Sequence, residues 1–386
     1  MNDTYLMPNN LHELSAEPYD LVVVGAGIIG LATAWTARQR GLRVAVVERH
    51  AKAIGASVRN FGFITVTGQR RGEHWKRAYD TAAIWREVAP KAGIEVMHEG
   101  LQVLAQRPEA VAVLEAFMKT EMGECCELLN HAQAVRKWPW LQPGLALLQS
   151  PHECRVESRE AIPRLSHWLE HELGVDFYWS TPVSAIDLPQ IFTSRGALRA
   201  ELCVVCPGND LNTLYPTLLR DAGIRQCTLQ MLRVSPGELF KLPTAIMSDL
   251  SLIRYEGYAE LPESQALKAR LQAEQANHLL QGIHLIVVQS SDGSLVVGDS
   301  HVYDDAEDPF ADAETEDLIM NEFHQVLKLP RAKIVQRWNG SYASAKDVVY
   351  KATPSPGVAL GVVTGGTGAS TSFAFARELL DLAMAN

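Results

Sequence analysis

The sequence predicts an α/β fold in two intertwined parts, one built on parallel strands and the other an α+β unit on a largely antiparallel sheet. Two observations predict it. A strand, a glycine turn, a helix and a second strand follow one another over residues 20–47, the order that makes the two strands parallel neighbours. Between residues 223 and 300 the text changes to short apolar runs separated by turn residues, the pattern of antiparallel hairpins. Because βα patterns recur near both chain ends, the parallel part is expected to be discontinuous, over residues 18–86, 150–222 and 345–386. Residues 87–149 and 223–344 then form the second part, and residues 1–17 a polar extension laid on the surface.

The elements follow in order. Residues 20–24 include Leu21, Val22, Val23 and Val24, a continuous apolar run as a strand buried on both faces requires. Residues 31–40 contain helix formers, and Gly41 stands where a helix closes on a left-handed residue. Residues 43–47 are the next strand, with Glu48 at its tip. Helices are expected over 81–92, 108–129, 157–173 and 312–327, with Ser158 placed to cap the third and Gly174 to stop it. Residues 175–179, 201–206, 252–255, 283–289 and 295–298 read as strands. The last two are joined through Ser290 to Gly293, with glycine where a positive φ is wanted.

Composition bounds the function. At 386 residues and 47% hydrophobic, the chain can bury a large core. Thirty-five Lys and Arg against 45 Asp and Glu give a net charge of -10, so nucleic acid and anionic membranes are not expected partners. The apolar run over 21–37 follows Glu17 and Asp20 and is broken by three glycines. It therefore fits neither a signal peptide nor a membrane span, and a cytoplasmic protein is expected. The six cysteines are irregularly spaced, as reduced core thiols would be. Cys203 and Cys206 have a CxxC spacing, but positions i and i+3 of a strand face opposite ways, so no metal site is expected there.

The glycine turn carries the first chemistry. Gly25 permits a tight turn, Gly27 lets a pyrophosphate approach the backbone, and Gly30 lets the helix pack closely on the strand. The helix N-terminus offers unpaired N–H groups to phosphates. Glu48, 18 residues after Gly30, can accept hydrogen bonds from a ribose diol. Together these describe a Rossmann-type dinucleotide site. They do not choose between FAD and NAD.

Three further stretches bear on that choice. Gly55 to Gly62, holding Ser57, Arg59 and Asn60, follows Glu48 closely; Val204 to Asp210, holding Gly208, lies mid-chain; and Gly365, Gly366 and Gly368 open a C-terminal helix. With the first motif they resemble the D-amino-acid oxidase family of FAD enzymes, which includes glycine and sarcosine oxidases, over nearly the whole chain. The resemblance implies that Gly25, Gly27 and Gly30 cradle the FAD pyrophosphate and Glu48 meets the adenosine ribose. It implies that Ser57, Arg59 and Asn60 lie on the loop running toward the isoalloxazine, and that Val183 meets the adenine with its backbone. Gly208 would lie against the cofactor, and Gly365, Gly366 and Gly368 would aim a helix N-terminus at the flavin pyrimidine. Ser370 stands where the family commonly has a further glycine, and Ser372 where some sarcosine oxidases have a basic substrate-binding residue. No cysteine matches the covalent flavin attachment of that group, so the resemblance implies non-covalent FAD.

The strings around Arg59 to Gly62, Gly298 to Tyr303 and Arg337 to Tyr342 look like a bacterial subfamily associated with phosphonate breakdown, whose members are thought to oxidise 2-aminoethylphosphonate or its N-methyl derivative. The implied reaction is hydride transfer from an amine-bearing carbon to flavin N5, giving an imine that hydrolyses to a carbonyl, with O2 or another electron acceptor completing the cycle. An anionic amine needs cationic donors at the site. Arg59 and Arg337 lead the candidates, with His301 and Tyr342 as hydrogen-bonding partners and Arg254 behind them. Alternatives stay open: a glycine, sarcosine or D-amino-acid oxidase or dehydrogenase, a nicotinamide enzyme on the same turn, or a non-catalytic FAD-binding assembly or sensor protein.

Overall fold

The computed structural model describes residues 13–385. Tyr19–Val24 pairs in parallel with Val44–Val47 on one side and with Gly196–Val205 on the other. Val44–Val47 pairs in turn with Asp176–Tyr178, and Gly196–Val205 with Val358–Gly365, both in parallel. Five parallel strands therefore stand in the order 176, 44, 19, 196, 358 by first residue. Their continuous burial explains the unbroken apolar text: Leu21, Val22, Val23 and Val44 to Val46 have no exposed surface. One face carries the helices Ile28–Gln39, Glu73–Lys91 and Gly368–Met384, whose Trp35, Trp85 and Phe373 meet edge to face. The other face packs against the ribbon of Val183–Asp187 and Gln190–Thr193.

The second body of sheet is mostly antiparallel. Arg225–Ser235 pairs antiparallel with Lys333–Ser355, with Leu295–Gly298 and with Val302–Asp304. Leu295–Gly298 continues to Ile286–Gln289, then Ala245–Ser248, which meets Val96–Ala105 in parallel. Ala146–Val156 closes on Val96–Ala105, antiparallel. The 23-residue strand Lys333–Ser355 joins the two bodies, because its first half pairs with Arg225–Ser235 and its second with Val358–Gly365. The turn expected at 290–293 is present, with Gly293 at φ 81°. Residues 1–12 of the expected extension lie outside the described residues, but Ser15 is fixed by donating its N–H to the Tyr178 hydroxyl at 3.0 Å.

Four expectations are corrected. The helix expected over 108–129 ends at Phe117, since a Cβ on Gly123 would come within 2.7 Å of the Phe117 carbonyl and Cys125 takes φ 63°. Leu128 and Leu129 then extend as a strand on Ala146–Val156. Residues 252–255, expected as a strand, include the end of a 3-10 turn, Asp249–Ile253, held by the buried Asp249 carboxylate accepting from Arg107 and from the Gln106 N–H. The helix expected from residue 81 begins at Glu73. Glu157, not Ser158, precedes the helix Ser158–His171, and the Ser158 hydroxyl instead donates to Asn60 Oδ1 at 2.6 Å. Cys203 and Cys206 fall in different buried clusters on opposite faces of the sheet, as strand alternation requires.

Candidate functional site

A cavity of ≈ 370 Å³ is lined at once by residues of the parallel part and of the antiparallel part. Two helices open onto it by their first turns. Ile28–Gln39 starts after Gly27 and Gly368–Met384 after Thr367; neither has a side-chain cap or an acidic residue in its first turn. Apart from the Ile28 N–H, their first-turn N–H groups and positive dipole ends are thus left for a ligand. Two of the three glycines of the turn have no room for a side chain. A Cβ on Gly25, where φ is +104°, would lie 2.4 Å from the Cys206 carbonyl, and one on Gly30 would lie 1.9 Å from the Gly25 carbonyl. On Gly27 it would meet only Ser57 Oγ, at 3.1 Å. Ser57 Oγ also accepts the Ile28 N–H at 2.9 Å. The glycine cradle and the two uncapped N-termini therefore fit a dinucleotide with a pyrophosphate and a second electron-rich centre.

The other cofactor candidates divide by position. Ser57, Arg59, Asn60, Gly208, Gly365, Gly366 and Gly368 line the cavity. Asn60 also fixes its own loop, accepting the Gly62 N–H at 2.7 Å and donating to the Ala56 carbonyl at 2.8 Å. Glu48 lies at the tip of Val44–Val47 and binds the glycine turn directly, one oxygen accepting from the Ala26 N–H at 2.9 Å and the other from the His50 N–H at 3.0 Å. Val183 begins its strand two residues after Thr181, whose N–H donates to the Glu48 carbonyl at 2.8 Å. Gly25, Gly27, Gly30, Glu48 and Val183 are not among the residues lining the cavity.

The substrate candidates also divide. Tyr303, Cys227 and Tyr342 form a row across three adjacent strands by register. Arg254, at the end of the Asp249–Ile253 turn, donates to the Tyr303 hydroxyl at 2.9 Å and to the Tyr342 hydroxyl at 3.4 Å. Among the described residues no carboxylate stands within ion-pair distance of Arg254. Tyr342 also touches the last glycine motif: a Cβ on Gly366 would lie 3.1 Å from its ring. His301 lies beside this row, its ring 6.2 Å from that of Tyr342. Arg59 sits at the rim, 3.5 Å from Glu307.

Arg337 is separated from the others. It stands five positions before Tyr342 on one strand, an odd offset that sends its side chain to the opposite face. There it is exposed and paired through two nitrogens with Glu316, bordering a different surface groove. It was a leading candidate for the anionic end of a substrate, and its place outside the cavity corrects that expectation.

His301 has cavity neighbours that the sequence did not single out, among them His284, Asp299 and His74. His284, Asp299 and His301 come together at the open end of the 286–298 hairpin, with His284 Nε2 3.3 Å from Asp299 Oδ1 and His301 Nε2 3.8 Å from Asp299 Oδ2. Burial, with the nearby Arg254, holds both imidazoles well below their ordinary range, and burial pushes Asp299 up to about 7. The i, i+2 spacing of Asp299 and His301 was a visible same-face signal; His284 belongs to the partner strand and had none. His74 Nε2 lies 3.1 Å from Thr367 Oγ1 at the start of the C-terminal helix, and burial pushes it down to about 4.

The comparisons with known proteins agree with this geometry. A family model described as DAO, FAD dependent oxidoreductase, matches residues 20–382. An N-methyl-L-tryptophan oxidase of Yersinia pestis (strain Pestoides F) is 26% identical over 211 residues, 52% of this chain and 56% of that protein. The chain thus matches about half the length of such curated relatives. Among solved structures, glycine oxidase from Bacillus cereus ATCC 14579 superposes with TM-score 0.76 at 19% identity, covering 95% of each chain. L-alpha-glycerophosphate oxidase from Mycoplasma pneumoniae, with FAD bound, gives 0.71 at 16% identity and 95% of each chain. No helix among the described residues is long and apolar enough to cross a membrane.

Proposed function

The chain belongs to the DAO family of FAD-dependent oxidoreductases, and from that premise we propose that it oxidises a small anionic primary or secondary amine, 2-aminoethylphosphonate or its N-methyl derivative before an amino acid. The observation that carries the reading is Arg254 set between the Tyr303 and Tyr342 hydroxyls in the cavity onto which both uncapped helices open. A guanidinium is charged at every working pH and presents a planar fork of donors. Two phenols beside it add further donors, which suits the three oxygens of a phosphonate better than the two of a carboxylate.

When bound, FAD supplies the acceptor for the hydride that leaves the amine-bearing carbon. The chain does the rest. Gly25, Gly27 and Gly30 with the Ile28–Gln39 N-terminus would hold the pyrophosphate, Glu48 the ribose, and Gly365 to Gly368 the flavin end. Arg254, Tyr303 and Tyr342 fix the substrate's anionic end, so its reacting carbon is presented in one orientation. The apolar Phe61, Leu229 and Met231 on the cavity wall keep water from the reacting carbon. The imine product leaves this wall and hydrolyses to a carbonyl compound. FAD is held non-covalently in this reading, with no cysteine among the cavity-lining residues. Six unpaired thiols suit a reducing, cytoplasmic setting.

The test is an anaerobic visible spectrum of the purified protein with N-methyl-2-aminoethylphosphonate, 2-aminoethylphosphonate, sarcosine, glycine and D-alanine added in turn. Bleaching of the flavin band by the phosphonates alone is expected. Bleaching by an amino acid and not by a phosphonate overturns the substrate assignment, and a yellow protein that no amine bleaches overturns the activity.

A further inference from the structure

Among the described residues two carboxylates line the cavity; Glu256 is paired with Arg70, and the buried Asp299 has no part in anion binding. Asp299 lies beside two imidazoles that stack on each other at 5.1 Å, and all three side chains line the cavity. The backbone fixes this arrangement: the Asp299 N–H donates to the His284 carbonyl and the His301 N–H to the Gln281 carbonyl, continuing the hairpin ladder past its named ends. His301 Nδ1 lies 2.9 Å from the Gly282 carbonyl oxygen. A carbonyl can only accept, so Nδ1 carries the proton and Nε2 turns a lone pair toward Asp299 Oδ2. The 3.8 Å between them is too long for a shared proton, so His301 leaves the carboxylate able to take one from a ligand in the cavity. Asp299 Oδ1 is buried without a hydrogen-bond donor.

We propose that Asp299, oriented by His284 and His301, is the base that takes the proton from the substrate's ammonium group before the neighbouring C–H bond is oxidised. The proposal rests on the amine-oxidation reading above. Hydride loss needs a neutral amine, because an ammonium nitrogen has no electron pair to stabilise the developing cation. In the first step an N–H bond of R–CH2–NH3+ breaks, its proton forms an O–H bond on the Asp299 carboxylate, and the electron pair stays on nitrogen. FAD, when bound, would accept the hydride of the neighbouring C–H bond, leaving R–CH=NH2+. Water converts this to aldehyde and ammonium, and Asp299 returns its proton to solvent.

The charged and titratable groups around Asp299 support a base that switches near neutrality. Arg254 faces it and favours the carboxylate; burial favours the acid; His284 and His301 stay neutral beside it. Tyr255 lies edge-on to His284, and the Cys227 thiol, pushed up to about 11 by burial, stays protonated behind the tyrosine row. The donor atoms of His284, Asp299 and His301 lie within 4.8 Å of one another, close enough to hold a cation. The Arg254 guanidinium, nearby but beyond ion-pair distance, favours the carboxylate and opposes a divalent ion there.

The test uses the FAD-loaded protein and 2-aminoethylphosphonate, or whichever amine bleaches it, followed anaerobically across pH. The wild type should lose rate as pH falls through about 7, and Asp299→Asn should bleach about 100-fold more slowly or worse, without that acid limb. His301→Gln should move the limb and keep it. Asp299→Asn should also keep its FAD and gain melting temperature over the wild type at pH 8.5 more than at pH 5.5 (assay values set at about 1.5 either side of neutrality). An unchanged rate and pH profile in Asp299→Asn overturns the proposal, as does a stoichiometric metal whose removal by chelator abolishes bleaching. If no amine bleaches the wild type, the amine reading fails on its own. The infrared difference between wild type and Asp299→Asn then decides: a carboxylic-acid carbonyl band that titrates near neutral pH supports the proton site, and its absence overturns it.

Discussion

Gly30 shows how closely one residue sets the cofactor site. Any side chain there strikes the Gly25 carbonyl at 1.9 Å, so Gly30→Ala must push the Ile28–Gln39 helix off its strand. A loss of about 3 kcal/mol is expected for overpacking against backbone. Purified Gly30→Ala should show a lowered melting temperature and little bound flavin. Gly41→Ala is the control, because nothing lies within 4 Å of its Cβ position and only the φ of +79° resists the change; it should lose about 1 kcal/mol and keep its flavin. Both glycines were legible in the sequence, since each follows from a local turn. Asp299 and His284 were not, because they meet only through the pairing of two strands and no spacing along the chain encodes that meeting.

At the scale of the element, the strand Lys333–Ser355 sorts the candidate arginines. Its alternation sends Tyr342 into the cavity and Arg337 outward to Glu316. Arg337→Ala should therefore leave the rate and amine dependence of flavin bleaching as in the wild type, and a large rise in the amine concentration needed would contradict this placement. Periodicity alone located a strand well where both faces are buried, as at Leu21 to Val24. It failed where an apolar run was short or interrupted. Residues 252–255 read as a strand, yet the ion pair of Asp249 with Arg107 holds the chain in a turn that delivers Arg254 to the cavity. Residues 108–129 read as one helix because Leu128 and Leu129 keep the helical spacing, while Gly123 and the left-handed Cys125 break it.

The whole molecule joins its parts through buried polar groups as well as apolar ones, and these tie stability to pH. His98, on Val96–Ala105, accepts the Gln289 N–H at 3.4 Å, and burial with the nearby Arg155 pushes it down to about 3. The folded chain keeps this imidazole neutral while the unfolded chain protonates it below about 6.5. Stability from His98 is therefore full above that pH and is lost as pH falls toward 3, by about 2 kcal/mol at pH 5. Denaturant unfolding of wild type and His98→Gln at pH 8 and pH 5 should show the variant gaining on the wild type by about that amount. An equal difference at both pH values would place a charged His98 in the fold.

The central claim is that Arg254 holds the anionic end of an amine in the cavity that also takes FAD. It is tested most directly by the amine concentration at which anaerobic flavin bleaching half-saturates, in the wild type and in Arg254→Met. Loss of hydrogen bonds to a charged partner, worth about 3 kcal/mol, predicts a rise of roughly 100-fold in that concentration. Flavin content should stay at the wild-type level. Half-saturation at the same concentration in both proteins would contradict the account.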